Sequence, residues 1–93
     1  MPRKERVSRI IDGDTFETDR RKHPVRLANV DAPEHGQPGG RKATQDLRDL
    51  IGGKEVSIDT RARDKYGRSV ARVQAGGRSV NRAMRQKVGP KKR

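Results

Sequence analysis

Apolar positions come in short runs along the chain, parted by charged residues, glycine and proline. Val7, Ile10 and Ile11 give the apolar content of a first strand over Val7–Ile11, and Asp12-Gly13-Asp14 is a turn signal. Thr15–Thr18 predicts a second strand with Phe16 inward, and Asp19–Pro24 a charged hairpin loop. Val25, Leu27 and Val30 mark a third strand, ended by Pro33, which cannot continue a ladder. The period then changes. Ala43, Leu47, Leu50 and Ile51 recur with the spacing of an amphipathic helix, closed by Gly52-Gly53. Glu55–Asp59, with Val56 and Ile58, and Ser69–Gln74, with Val70, Ala71 and Val73, predict two further strands. Arg61–Arg68 between them reads as a charged loop. After the turn Ala75-Gly76-Gly77, the residues Val80, Ala83 and Met84 predict a short helix, capped by Ser79 and broken at Gly89-Pro90.

The order β-β-β-α-β-β-α makes this a mainly β chain with two helices, an α+β arrangement. Five short strands bury little as a flat sheet, whereas a closed five-stranded barrel with a helix across one end, as in the OB-fold, buries more. One domain is expected over 7–88, between a basic, frayed arm over 1–6 and a basic tail over 89–93. No repeat or second domain is apparent.

Composition sharpens this picture. Of 93 residues, 28% are hydrophobic and 39% charged, so the core is thin and stability marginal. With no cysteine, disulfides and the common structural zinc sites are excluded, which fits a reducing compartment. Net charge is +12, from 24 basic and 12 acidic residues, which calls for a polyanionic partner, most simply nucleic acid. Solubility, attraction to a membrane surface or a ribosomal-type role are the blander readings of that charge. No apolar run is long enough to span a bilayer and no signal-peptide core follows the basic start. The expectation is a cytoplasmic monomer without a membrane partner, unless a leader was removed.

Candidate chemistry gathers in three places: Asp14 in its turn, Arg26 with Asp31 and Glu34 along Val25–Glu34, and Arg68 after Asp64-Lys65-Tyr66-Gly67. A cation inside a short strand, with two acids at its exit, is a poor way to build a core. Two carboxylates and a backbone carbonyl suit a hard divalent cation such as calcium. A third carboxylate can take a proton from water, and two guanidiniums can hold a phosphodiester and its transition-state charge. That combination is a metal-assisted phosphodiester hydrolase. Each residue also has a plainer reading. Asp12 and Asp14 are ordinary turn residues, Arg26 an ion pair on a sheet face, Glu34 a loop cap, and Arg68 one arginine among many. Tyr66 is core filler or, next to glycine in a charged run, an exposed stacking platform. His23 and His35 lack spaced partners and read as surface residues. Strand parity puts Arg26 and Asp31 on opposite faces, so they meet only if the chain bends around Val30–Ala32.

Ile11-Asp12-Gly13-Asp14-Thr15, Arg26-Leu27 with Val30-Asp31-Ala32-Pro33-Glu34, Asp64-Lys65-Tyr66-Gly67-Arg68 and Val80-Asn81 occur in this order. Together they resemble the staphylococcal nuclease (thermonuclease) family over roughly residues 7–84. The resemblance implies an OB-fold barrel and calcium-dependent hydrolysis of DNA and RNA, with single strands favoured and 3′-phosphate ends. It implies calcium ligation by Asp14, Asp31 and the backbone carbonyl of Ala32. It makes Glu34 the general base, Arg26 and Arg68 the phosphate-binding arginines, and Lys65 and Tyr66 nucleotide contacts. The sequence departs from the family at polar Asn29, in a shorter loop over His35–Gly40, and beyond the second helix, where the family has further structure with tyrosines that help cradle the nucleotide. A non-catalytic OB-fold binding module is the alternative; such modules lose the site carboxylates, all of which are present here.

Overall fold

In the computed structural model, which describes residues 4–88, the inward and outward alternation of side chains decides where strands form. The elements are β1 (Lys4–Asp12), β2 (Thr15–Thr18), β3 (Val25–Leu27), α1 (Gly40–Ile51), β4 (Glu55–Arg63), β5 (Ser69–Ala75), β6 (Arg78–Ser79) and α2 (Val80–Val88). Antiparallel pairing joins β3 to β2, β2 to β1, β1 to β4 and β4 to β5. A parallel pairing of β3 with β5 closes the ring, with Val25 opposite Ser69, Arg26 opposite Val70 and Leu27 opposite Ala71. The result is a small OB-like barrel of five strands, as the apolar pattern implies.

Val7, Phe16, Val25, Leu27, Val56, Ile58, Ala71 and Val73 point from the strands into one buried cluster. Leu47 and Ile51 enter it from α1, Val80 and Met84 from α2. Gly52 follows α1, its amide bonded to the Arg48 carbonyl at 2.8 Å. Ser79 caps α2: its hydroxyl accepts the Arg82 amide at 3.1 Å. Among the described residues no helix is long and apolar enough to cross a membrane.

Three expectations change. The second half of the basic arm is strand, because Lys4, Glu5 and Arg6 pair with Ser57, Val56 and Glu55 of β4. Second, β4 runs on to Arg63 through what reads as a loop. There the pairing passes an irregularity between Thr60 and Ala62, and the side chains are exposed, so no apolar alternation marks the strand. Third, the turn at Gly76-Gly77 folds back a two-residue strand, β6, that is too short to carry a pattern. The expected tail and the helix break at Gly89-Pro90 lie outside the described residues.

Asn81 fastens α2 to the barrel. Its side-chain oxygen accepts the Val73 amide at 2.8 Å, and its side-chain nitrogen donates to the carbonyls of Ala28 and Ala71 at 2.9 and 3.0 Å. Asn81→Ala strands a buried amide and is expected to cost about 2 kcal/mol, or roughly 10 °C of melting temperature in a domain of this size. Thermal unfolding followed by circular dichroism checks this; a shift within about 2 °C of zero would remove Asn81 from that role.

Candidate active site

Asp14 sits in the β1–β2 turn, 6% exposed. Its turn is wedged in place: a Cβ on Gly13 would lie 2.6 Å from that of Ala43 in α1 and 2.8 Å from that of Ala32. Only glycine lets helix, turn and the Ala32 segment approach this closely. The Asp14 carboxylate then accepts the Thr15 hydroxyl at 2.8 Å, the Ala32 amide at 3.2 Å and Arg26 Nη2 at 3.4 Å. Burial pushes its carboxyl above the ordinary aspartate range, and the contact with Asp12 adds to this; the Thr15 hydroxyl and the Arg26 charge pull the other way.

Arg26 projects from the outer side of β3, between the inward Val25 and Leu27. The strand stops at Leu27, and Asn29 adopts φ 62°, the left-handed conformation that asparagine tolerates better than most residues. The chain therefore bends one step earlier than strand parity requires. That bend sets the Val30 carbonyl 3.1 Å from Arg26 Nη2 and the Asp31 carboxylate 3.8 Å from the same nitrogen. The polar Asn29 is thus exposed in a turn, outside the strand. Asp14, Asp31 and the Val30 carbonyl are brought together around one guanidinium nitrogen of Arg26, and the Ala32 amide reaches Asp14.

Arg68 belongs to a second group. Asp64 organises the β4–β5 turn by accepting the amides of Tyr66 and Arg68, each at 3.0 Å, and then grips Arg68 Nε at 2.6 Å. Slight desolvation would raise the Asp64 carboxyl, but these bonds from Arg68 and Tyr66 outweigh it and hold it below the usual range. Tyr66 is 67% exposed. Lys65 Nζ lies 5.4 Å and the Arg68 guanidinium carbon 5.2 Å from its ring centre, within cation–π range. Arg68 directly precedes β5, two residues before Val70, the residue opposite Arg26.

Glu34 is not drawn into either group. It is exposed, its amide bonded to the Gln37 side chain at 2.9 Å and its carbonyl accepting the Gln37 amide at 2.8 Å. Its main chain is nevertheless fixed, because Gly40 at the start of α1 presses against the Glu34 carbonyl, and any Cβ there would collide with it. Thr15 and Asp64, which orient Asp14 and Arg68, were not among the residues that composition or spacing single out. Both stand inside the motifs that carry the family resemblance, but nothing in the sequence gives either an orienting role; Asp64 shows besides as an acid four residues before an arginine.

The donors around Asp14 and Asp31 are all hard oxygens, and a buried carboxylate raised by desolvation gains from a nearby cation, so this place suits a divalent ion such as calcium. Among the described residues no three acidic or histidine side chains cluster for a metal, so carboxylates from Asp14 and Asp31 would need main-chain oxygen, such as that of Ala32, and water to complete a shell.

An OB-like barrel that gathers two aspartates around one arginine, beside a second arginine stacked on an exposed tyrosine, has the makings of a site for a phosphate and a hard cation. Residues 24–88 match the family described as staphylococcal nuclease homologue, and the chain belongs to that family. A protein of Escherichia coli O157:H7 described as an uncharacterized endonuclease is 43% identical over 82 residues, covering 85% of this chain and 54% of the relative. One from Haemophilus influenzae with the same description is 37% identical over 82 residues, covering 85% of this chain and 46% of the relative. The micrococcal nuclease of Shigella flexneri is 45% identical over 71 residues, covering 74% of this chain and 41% of that protein. The chain thus spans about half the length of these relatives or less. The matched segment contains Arg26, Asp31, Glu34 and Arg68 but begins after Asp14, which is joined to the site by its contacts with Arg26 and Ala32.

Proposed function

We propose that the protein is a calcium-dependent nuclease that hydrolyses phosphodiester bonds of DNA and RNA, favouring single strands and leaving 3′-phosphate ends. The observation that carries the reading is Arg26 between Asp14 and Asp31, at 3.4 and 3.8 Å. A guanidinium between two acids at a strand exit has little structural purpose and an obvious use at a phosphate. The nuclease names of the relatives agree with it.

In this reading Asp14, Asp31 and the Ala32 carbonyl hold the cation, which when bound supplies positive charge beside the phosphate. Arg26 and Arg68 hold the non-bridging oxygens and stabilise the charge that grows on them as water adds to phosphorus. Glu34 accepts the proton of that water, while the bond from phosphorus to the 5′-oxygen breaks and that oxygen leaves as a hydroxyl, taking its proton from solvent. Lys65 and Tyr66 hold the nucleotide, the exposed ring offering a face to a base. With Phe16 buried, Tyr66 is the one aromatic side chain the sequence can offer for stacking, so affinity comes mainly from phosphate contacts.

The test is cleavage of single-stranded DNA by protein shown to melt cooperatively, with calcium and then with chelator. Chelator-sensitive cleavage that collapses in Glu34→Gln and in Arg68→Ala is expected. The new ends should resist polymerase extension until treated with phosphatase. Calcium with a nucleotide should also raise the melting temperature, since both bind the folded state. Intact DNA with salt-sensitive binding would instead identify a non-catalytic barrel.

A further inference from the structure

Beside the β4–β5 turn lies a cavity of about 250 Å³, lined by Arg20, Arg21, Lys22, His23, Arg63 and Ser69. Arg21 is locked at its wall. Its Nε donates to both oxygens of the buried Glu5 carboxylate at 2.9 and 3.0 Å, and its Nη1 reaches Ser69 at 3.1 Å. Glu5 is held in turn by the Thr18 hydroxyl at 2.7 Å. Arg20, Lys22 and Arg63 form no ion pair among the described residues, so the pocket keeps a surplus of positive charge around one pre-set guanidinium. It adjoins the turn that carries Tyr66 and Arg68: a Cβ on Gly67 would touch the His23 ring at 3.6 Å, and Arg63 Nη1 donates to the Gly67 carbonyl at 3.2 Å. Ser69, on the pocket wall, directly follows Arg68 in the chain.

We propose that this cavity is a second phosphate subsite, which takes a phosphodiester further along the same strand whose scissile phosphate lies at Arg26 and Arg68. The proposal rests on the nuclease reading for the position of the scissile phosphate. Its chemistry follows from the lining: cations from the β2–β3 loop and the end of β4, with no acid among them, attract the backbone of a polynucleotide and read no base. The strand enters between Tyr66 and the loop Arg20–His23, and Arg21 gives that path a rigid wall. Substrates long enough to reach the cavity bind more tightly than short ones.

The test is binding of a labelled single-stranded octanucleotide and of a dinucleotide, with chelator present so that neither is cut. In Arg20→Ala/Lys22→Ala, with Arg21 kept so that Glu5 is not stranded, octanucleotide affinity should fall about tenfold and the slope of log K against log salt should lose about 0.7 per lost contact. Dinucleotide affinity should stay within about twofold, the dinucleotide being too short to bridge both places. Arg72→Ala/Arg85→Ala, which removes two exposed cations elsewhere, should leave the octanucleotide slope in place. An equal drop in that control, an unchanged slope in the double variant, or no octanucleotide binding by the parent protein overturns the subsite. So does displacement of the octanucleotide by inorganic phosphate at matched ionic strength, which would make the free anion the ligand. The two readings fail separately. Octanucleotide bound with the expected slope but left intact when calcium is added removes the nuclease and keeps the subsite. Cleavage combined with an unchanged slope in the double variant does the reverse.

Discussion

Arg26→Ala is expected to lower the rate of single-stranded DNA cleavage at least about a thousandfold, the loss seen when a charged transition-state donor is removed. Among the described residues, Arg26 is the one side chain in contact with Asp14, Asp31 and the Val30 carbonyl together. In the proposed function its removal takes away a phosphate donor, and it also deprives the Asp14 and Asp31 carboxylates of the guanidinium that pairs with both. Arg26→Lys tells the two effects apart. Lysine restores the charge but not the planar fork that can serve a carbonyl, a carboxylate and a phosphate at once, so it should recover only a small part of the rate. Initial rates at saturating calcium, beside melting curves for each variant, decide the matter. Cleavage by Arg26→Ala within about tenfold of the parent rate would falsify the role given to this arginine.

Asp14→Asn is expected to remove cleavage while raising stability. The carboxylate is nearly buried, and desolvation, then Asp12, raises its pKa in the folded protein. A raised acid pKa means that the folded state holds the proton more tightly than the unfolded one. The charge therefore costs stability as pH climbs from the ordinary value near 3.8 through the raised folded value, in full above it, and the cost vanishes as pH falls back below 3.8. Asparagine carries no charge. Its oxygen can keep the Ala32 and Arg26 bonds, and the Thr15 hydroxyl can turn to accept from its amide. The variant should melt about 4 °C higher at neutral pH in the presence of chelator, and that gain should shrink as the solution is acidified. A variant that melts lower at neutral pH would show that the charge stabilises the fold.

Most of the barrel was legible because its strands alternate and its helices repeat, and the Ser79 cap is a short-range signal that the structure keeps. The second half of β4 was not, since it lies beyond the core and pairs through its backbone, with nothing apolar to mark it. Nor was the bend after β3: it depends on Asn29 taking a left-handed conformation that asparagine adopts only now and then. The acids and arginines of the site could be named from their order, but not the partners that aim them. Asp64 and the Glu5–Arg21 pair act across turns and between strands, through contacts that spacing does not encode.

The ring is closed by a strand of three residues. Its main-chain bonds to β5 are extended by only one further contact at each end, Ser69 to Pro24 and Ala28 to Ala71. Arg26 stands on that joint, Arg68 directly precedes it, and the Asp31 bend leads straight out of it. On warming, the joint is the natural first place for the molecule to come apart, so inactivation should begin below the midpoint of global unfolding, with amide exchange fastest along residues 25–28. A covalent clasp across that closure would harden the domain more than any repacking of its interior.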